Sequence, residues 1–184
     1  MSQAEPDLLF VTEDLSAVMA HQSAKARLSV DSYDADRLLN TPTADLVRYF
    51  VEHHQLDVPS LHREQALAEQ REGPVFVVDH FSKDYGGGRG HREIMGTHVE
   101  LTIPFSGDAR MFQVRPTTFD TGPPRAALSN GCLIIRVVGR EMTTEGVQKE
   151  LDGMLDRVEL SMTTIGDAGF RVSRQFGQLF VELA

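Results

Sequence analysis

Hydrophobic positions along this chain change period twice, from helical to alternating and back to helical. Near the start, Leu15, Val18 and Met19 share one side with Gln22, and Leu28 lies further along. Thr12 or Asp14 is placed to cap that helix. A second helical signal begins at Thr41-Pro42, a capping residue followed by a proline whose missing N–H costs nothing in the first turn. Asp45 then opposes the positive end of the helix dipole. Leu46, Val47, Phe50 and Val51 form one apolar face, and Val58-Pro59 ends the element.

Residues 60–73 are polar and predict a short surface helix or a tether. From Pro74 the residues become strand formers, with Val75 to Phe81 as one candidate strand and Gly86 to Gly90 as a loop. Between Ile94 and Phe105, His98, Glu100 and Thr102 alternate with Val99, Leu101 and Ile103. Period two of this kind gives a strand with one wet and one dry face. Met111–Val114 and 117–119 read as further short strands. Asn130-Gly131 is a tight-turn signal ahead of a strand from Cys132 to Val138. Short turns between strands call for antiparallel pairing.

The helical period returns after Thr143, which is placed to cap the last long helix. Val147, Leu151, Met154, Leu155, Val158, Met162 and Ile165 recur at steps of three and four. Phe176 to Ala184 reads as a final strand or helix turn. The expected fold is α+β. N-terminal helices precede an antiparallel sheet packed against a long C-terminal helix. One domain spans 1–184, with a helical part over 1–60, a sheet part over 74–140, and the last helix and tail over 143–184.

Composition narrows the function classes. With 27 acidic against 18 basic residues the formal net charge is −9, which repels nucleic-acid phosphates unless the cations share one face. Arg110, Arg115, Arg125, Arg136 and Arg140 do fall in one stretch, so a nucleic-acid accessory module is one alternative; salt-bridge partners or a solvated sheet face are the favoured reading. Cys132 is the single cysteine. No intramolecular disulfide and no multi-thiolate site can form. No run approaches ~18 consecutive apolar residues, so no membrane span is expected. The first residues lack the basic-then-apolar order of a signal peptide, and a cytoplasmic location is expected.

The richest candidate chemistry surrounds the glycine loop. His80, His91 and His98 stand near Asp79, Asp84, Glu93 and Glu100, which suggests a metal-assisted hydrolase with its site in residues 79–100. Their spacing is not that of the helical His-Glu-x-x-His pair, and one cysteine excludes the zinc deaminase signature. Surface histidines in a polar loop are the favoured reading. His53-His54, with His62 nearby, sit where a helix C-terminus favours imidazole. The glycine loop leads toward a strand, unlike a phosphate cradle, which leads into a helix. No cofactor is implied.

Residues Leu38 to Leu46, then Val58-Pro59-Ser60-Leu61, Ile103 to Asp108, Phe112 to Phe119, and Pro123-Pro124-Arg125 carry a resemblance. In this order they resemble the N-terminal region of an uncharacterised bacterial protein family whose longer members carry a C-terminal restriction-endonuclease-like domain. The most distinctive block is Ile103-Pro104-Phe105-Ser106-Gly107-Asp108 with the Val114-Arg115-Pro116 run. The helix after Thr143 is similar too. The resemblance implies a stand-alone form or a piece separated from its effector, and a place in antiphage or mobile-element systems. It implies no active site.

The leading expectation is therefore a non-catalytic interaction or regulatory domain, assembling with a protein partner or a second copy. The surfaces expected to do so are the stripe Val147, Leu151, Met154, Val158 and Met162, or exposed strand edges.

Overall fold

The computed structural model describes residues 6–78, 91–117, 122–140 and 142–182. The fold is mixed α+β, with helices, a curled antiparallel sheet and a long C-terminal helix. Two compact units are each built from three separate segments. A sheet unit comprises Met1–Asp7, Leu61–Ser106 and Arg125–Asp156; a helical unit comprises Leu8–Ser60, Gly107–Pro124 and Arg157–Ala184.

Four strands make the body of the sheet unit: β1 (Leu67–Val78), β2 (His91–Ser106), β3 (Arg125–Ser129) and β4 (Cys132–Gly139). β1 pairs with β2 along its whole length, Leu67 opposite Thr102 and Val78 opposite His91. β4 pairs with the far side of β2, and β3 with β4. The β3–β4 hairpin turns on Asn130 and Gly131, at φ 51° and 72°. Positive φ at both central residues is what a two-residue turn matched to strand twist requires. On one face Val99, Ile103, Leu133, Ile135 and Val137 are buried. The other face carries His98, Glu100, Thr102 and Arg136, half-buried. This is the alternation expected from the sequence.

The polar segment 60–73 departs from expectation. It contains a 3₁₀ turn at Arg63–Gln65 and then enters β1, whose residues 67–72 are exposed. A strand wet on both faces has no apolar alternation to reveal it. Backbone pairing with β2 holds it instead.

In the helical unit, α1 (Leu15–Asp31), α2 (Ala35–Asn40) and α3 (Thr43–His54) follow one another. Asp14 caps α1 with its side chain, as expected of the two candidates. At α3 the cap position is taken by Pro42, one residue later than read, because Thr41 already closes α2. Residues 111–113, expected in a strand, belong to a 3₁₀ turn over Ala109–Gln113, and Val114–Arg115 pairs in parallel with Glu13–Asp14. Phe10, Leu15, Leu46, Phe50, Phe112 and Val114 are buried here, the Phe10 and Phe112 rings 6.1 Å apart.

α4 (Thr144–Glu182) runs through the stretch read as a separate tail. The Thr143 hydroxyl accepts the Gly146 N–H at 3.1 Å, closing its start. Its turns up to Asp156 belong to the sheet unit, with Leu151 and Leu155 buried. The remainder belongs to the helical unit, with Val158, Met162 and Ile165 buried and Gly169 against Leu56.

Candidate functional site

A cleft of about 540 Å³ opens in the helical unit. Three segments line it. The start of α1 and the residue pair before it provide Glu13, Asp14, Ala17, Val18, His21, Gln22 and Lys25. The turn after α3 provides Gln55, Leu56 and Asp57, and the 3₁₀ turn provides Asp108, Arg110 and Met111. Helical spacing explains the first set, since residues three, four and seven apart fall on one side. A backbone bond joins the other two, the Asp108 N–H donating to the Asp57 carbonyl at 2.9 Å. Gly107 makes this approach possible. It sits at φ 96°, and a Cβ there would lie 3.0 Å from Pro59 Cα and Val58 O. Gln22 ties α1 to the end of α3 by donating to the His54 carbonyl at 2.9 Å.

The charges in the cleft are held by local chemistry. Asp14 Oδ1 accepts the Ser16 N–H at 2.8 Å, while Oδ2 receives Arg115 Nη2 at 3.2 Å. Those bonds, the arginine's first, hold the Asp14 carboxyl below its ordinary value. Asp108 receives Arg110 Nη2 at 2.6 Å, Nε at 2.9 Å and the Arg110 N–H at 3.0 Å, and it too is held low, chiefly by the guanidinium. The pairing raises Arg110 in turn. Four carboxylates (Glu13, Asp14, Asp57, Asp108) therefore line the cleft together with two cations, Lys25 and Arg110, and with His21. A general acid needs a carboxyl pushed up toward the working pH. Asp14 and Asp108 are pushed the other way, so they act here as fixed negative charge and as acceptors.

Close to this cleft, the His54 ring stacks on Phe50 at 6.5 Å, and its buried Nδ1 has no hydrogen-bond partner. Burial lowers its pKa, with Lys25 and His53 adding to the effect.

The residues expected to carry function are distributed differently. His80 lies outside the described residues, and so does the side chain of His91, which opens β2. The His98 Nε2 donates to the Pro74 carbonyl at 3.1 Å and lies against Gly73, where it ties β2 to β1. His53 and His54 belong to the helical unit and His62 to the sheet unit. His53 Nδ1 donates to the Tyr49 carbonyl, and His62 stands 3.8 Å from Glu64. Among the described residues, no three His, Cys, Asp or Glu side chains gather as metal ligands. Cys132 is half-buried, its Sγ 3.8 Å from the Asn130 carbonyl.

The five arginines divide between the units, Arg110 and Arg115 in the helical one and Arg125, Arg136 and Arg140 in the sheet one. Arg110, Arg115 and Arg136 each bind a carboxylate, Arg136 through a 2.6 Å bond to Glu100. In the α4 stripe, Leu151, Val158 and Met162 are buried within the chain itself, while Val147 and Met154 are half-buried. Among the described side chains of α4, Leu160 and Phe170 are the large apolar ones that are exposed. Leu151, Val158 and Met162 are core, and docking through them would require opening the fold.

No helix among the described residues is long and apolar enough to cross a membrane. No protein-family model, curated protein or solved structure matches the chain.

Proposed function

We propose that the chain is a non-catalytic interaction or regulatory domain, and that the cleft beside α1 receives a basic, polar segment of a partner protein. The observation that carries this reading is the state of the cleft's carboxylates. Asp14 and Asp108 are engaged by arginine and backbone donors, which hold them as ionised acceptors. With Glu13 and Asp57 they are four carboxylates against Lys25, Arg110 and the Arg115 bound to Asp14, an excess of one negative charge. Such a surface favours cationic side chains by complementarity of potential. The family resemblance supports the same class: in longer relatives the partner would be the attached nuclease, which would place the chain in an antiphage system.

The test is charge reversal. Partner capture by cross-linking in extracts of the native host is compared for the natural chain and for Glu13→Lys and Asp57→Lys. Loss of the same captured protein in both variants, with natural capture weakening as salt rises, is the expected result. Capture indifferent to both variants would overturn the proposal. DNA retention at low salt that falls on Arg125→Glu would replace it with the nucleic-acid reading.

A further inference from the structure

β1 is an edge strand. Among the described residues its only strand partner is β2, and residues 67–72 are exposed. Edges of this kind present unpaired N–H and C=O groups and are ordinarily blocked by charge or proline. This edge carries Glu69, Arg71 and Glu72, and then Pro74. Glu72 is engaged within the sheet, accepting the Thr97 hydroxyl at 3.0 Å. Among the described residues, Glu69 and Arg71 make no ion pair.

Consider a second copy of the same edge added antiparallel. A two-fold axis then stands perpendicular to the sheet and passes through one residue, because paired residues must share a face. Centring on Glu69 sets that carboxylate against itself, and centring on Arg71 or Glu72 likewise opposes like charges. Centring on Gln70 sets Glu69 of each copy opposite Arg71 of the other, twice. Leu67 then opposes Gly73, which has no side chain to compete for space. Pro74, lacking an N–H, ends the pairing after seven residues. The charge pattern thus rejects the registers centred on Glu69, Arg71 and Glu72, and of the registers along this edge the one centred on Gln70 is where opposite charges meet, twice.

We propose that the outer edge of β1 pairs with a second copy of this chain, antiparallel and centred on Gln70. The surface is distinct from the cleft in the helical unit, and it stands or falls separately from partner capture there.

Sedimentation velocity of the full chain over a wide concentration range tests the pairing. The natural chain is expected to pass from monomer to dimer as concentration rises. Arg71→Glu sets two acidic pairs in place of two mixed pairs and is expected to weaken the dimer by roughly tenfold or more. The exchange Glu69→Arg with Arg71→Glu restores opposite charges and should return the natural affinity. Gln70→Pro removes an N–H at the centre, and circular dichroism at matched concentration shows whether that variant is folded. A monomer at every concentration would overturn the proposal. So would a dimer unaffected by Arg71→Glu, or one that the double exchange fails to restore.

Discussion

The two units use polar side chains in opposite ways. In the sheet unit the principal ion pair spans strands: Glu100 and Arg136 are cross-strand neighbours, 31% and 19% exposed. In the helical unit most charged contacts are local and have at least one exposed partner. Asp108 binds Arg110, Asp34 accepts the Arg37 N–H at 2.9 Å, and Asp45 pairs with Arg48. Exposed local pairs contribute little, because water and salt already stabilise each charge. A pair withdrawn from water contributes little net when intact, yet removing one member leaves the other uncompensated. The sheet is therefore sensitive to loss of its polar bonds, and the helical unit to loss of its aromatic core.

Substitutions can break or sharpen that contrast. The largest effect belongs to Phe112→Ala, which empties a fully buried site beside Phe10. It should cost about 3–5 kcal/mol, read from urea unfolding. Next is a matched pair of glycines in the sheet. At Gly96 a Cβ would stand 2.6 Å from Val75 Cγ2 and 2.7 Å from the Gly139 carbonyl, against backbone and a stiff branched side chain. Gly96→Ala should cost about 1–3 kcal/mol. At Gly139 the clash is with the flexible Met142 side chain. Gly139→Ala should cost clearly less, and equal losses in the two variants would contradict the packing described. Third, Glu100→Ala should destabilise by about 1–2 kcal/mol, by removing a short charged bond from a half-buried guanidinium. Asp45→Ala, by contrast, should leave the unfolding midpoint nearly unchanged.

The smallest effect is a pH dependence in the helical unit. Burial favours neutral His54, so its folded pKa lies below the unfolded value of 6.5. The unfolded chain then binds the proton first, and stability declines as pH falls from about 6.5 toward the folded pKa. His54→Phe should flatten that part of the curve in urea midpoints measured at successive pH values. Asp14 and Asp108 act lower still. Their folded pKa values lie below 3.8, so the stability they provide is present above that pH and is lost as pH falls through the folded values.

Much of the fold could be read from particular residues. Asn130-Gly131 announces its turn because only a narrow set of residues tolerates two positive φ angles. His98, Glu100 and Thr102 announce a face because their neighbours are dry. Residues 67–72 announce nothing, since an arm exposed on both faces has no contrast between them. The stripe of α4 shows clearly that a helix buries one side, but period alone does not say whether its own chain or another covers it. The cleft was hidden for a different reason. Asp14, Asp57 and Asp108 are ordinary capping and turn residues in their local settings. Long-range bonds such as Asp108–Asp57, Gln22–His54 and the Glu13–Asp14 pairing with Val114–Arg115 bring those segments together. His21 and Lys25 offered one faint signal, lying one and two helical turns beyond Ala17.

Interleaving of segments has a consequence for how the chain comes off the ribosome. The buried side chains of the helical unit run from Leu9 to Ile165. At about 5–20 residues per second, α1 and α3 emerge well before Val158, Met162 and Ile165 exist. Helices of ~12–15 residues are marginal on their own. The nascent unit therefore holds its apolar faces open through most of its synthesis, within reach of chaperones and proteases, and closes only as α4 arrives. A nonsense mutation or nick ahead of Val158 removes the closing element and leaves those faces uncovered.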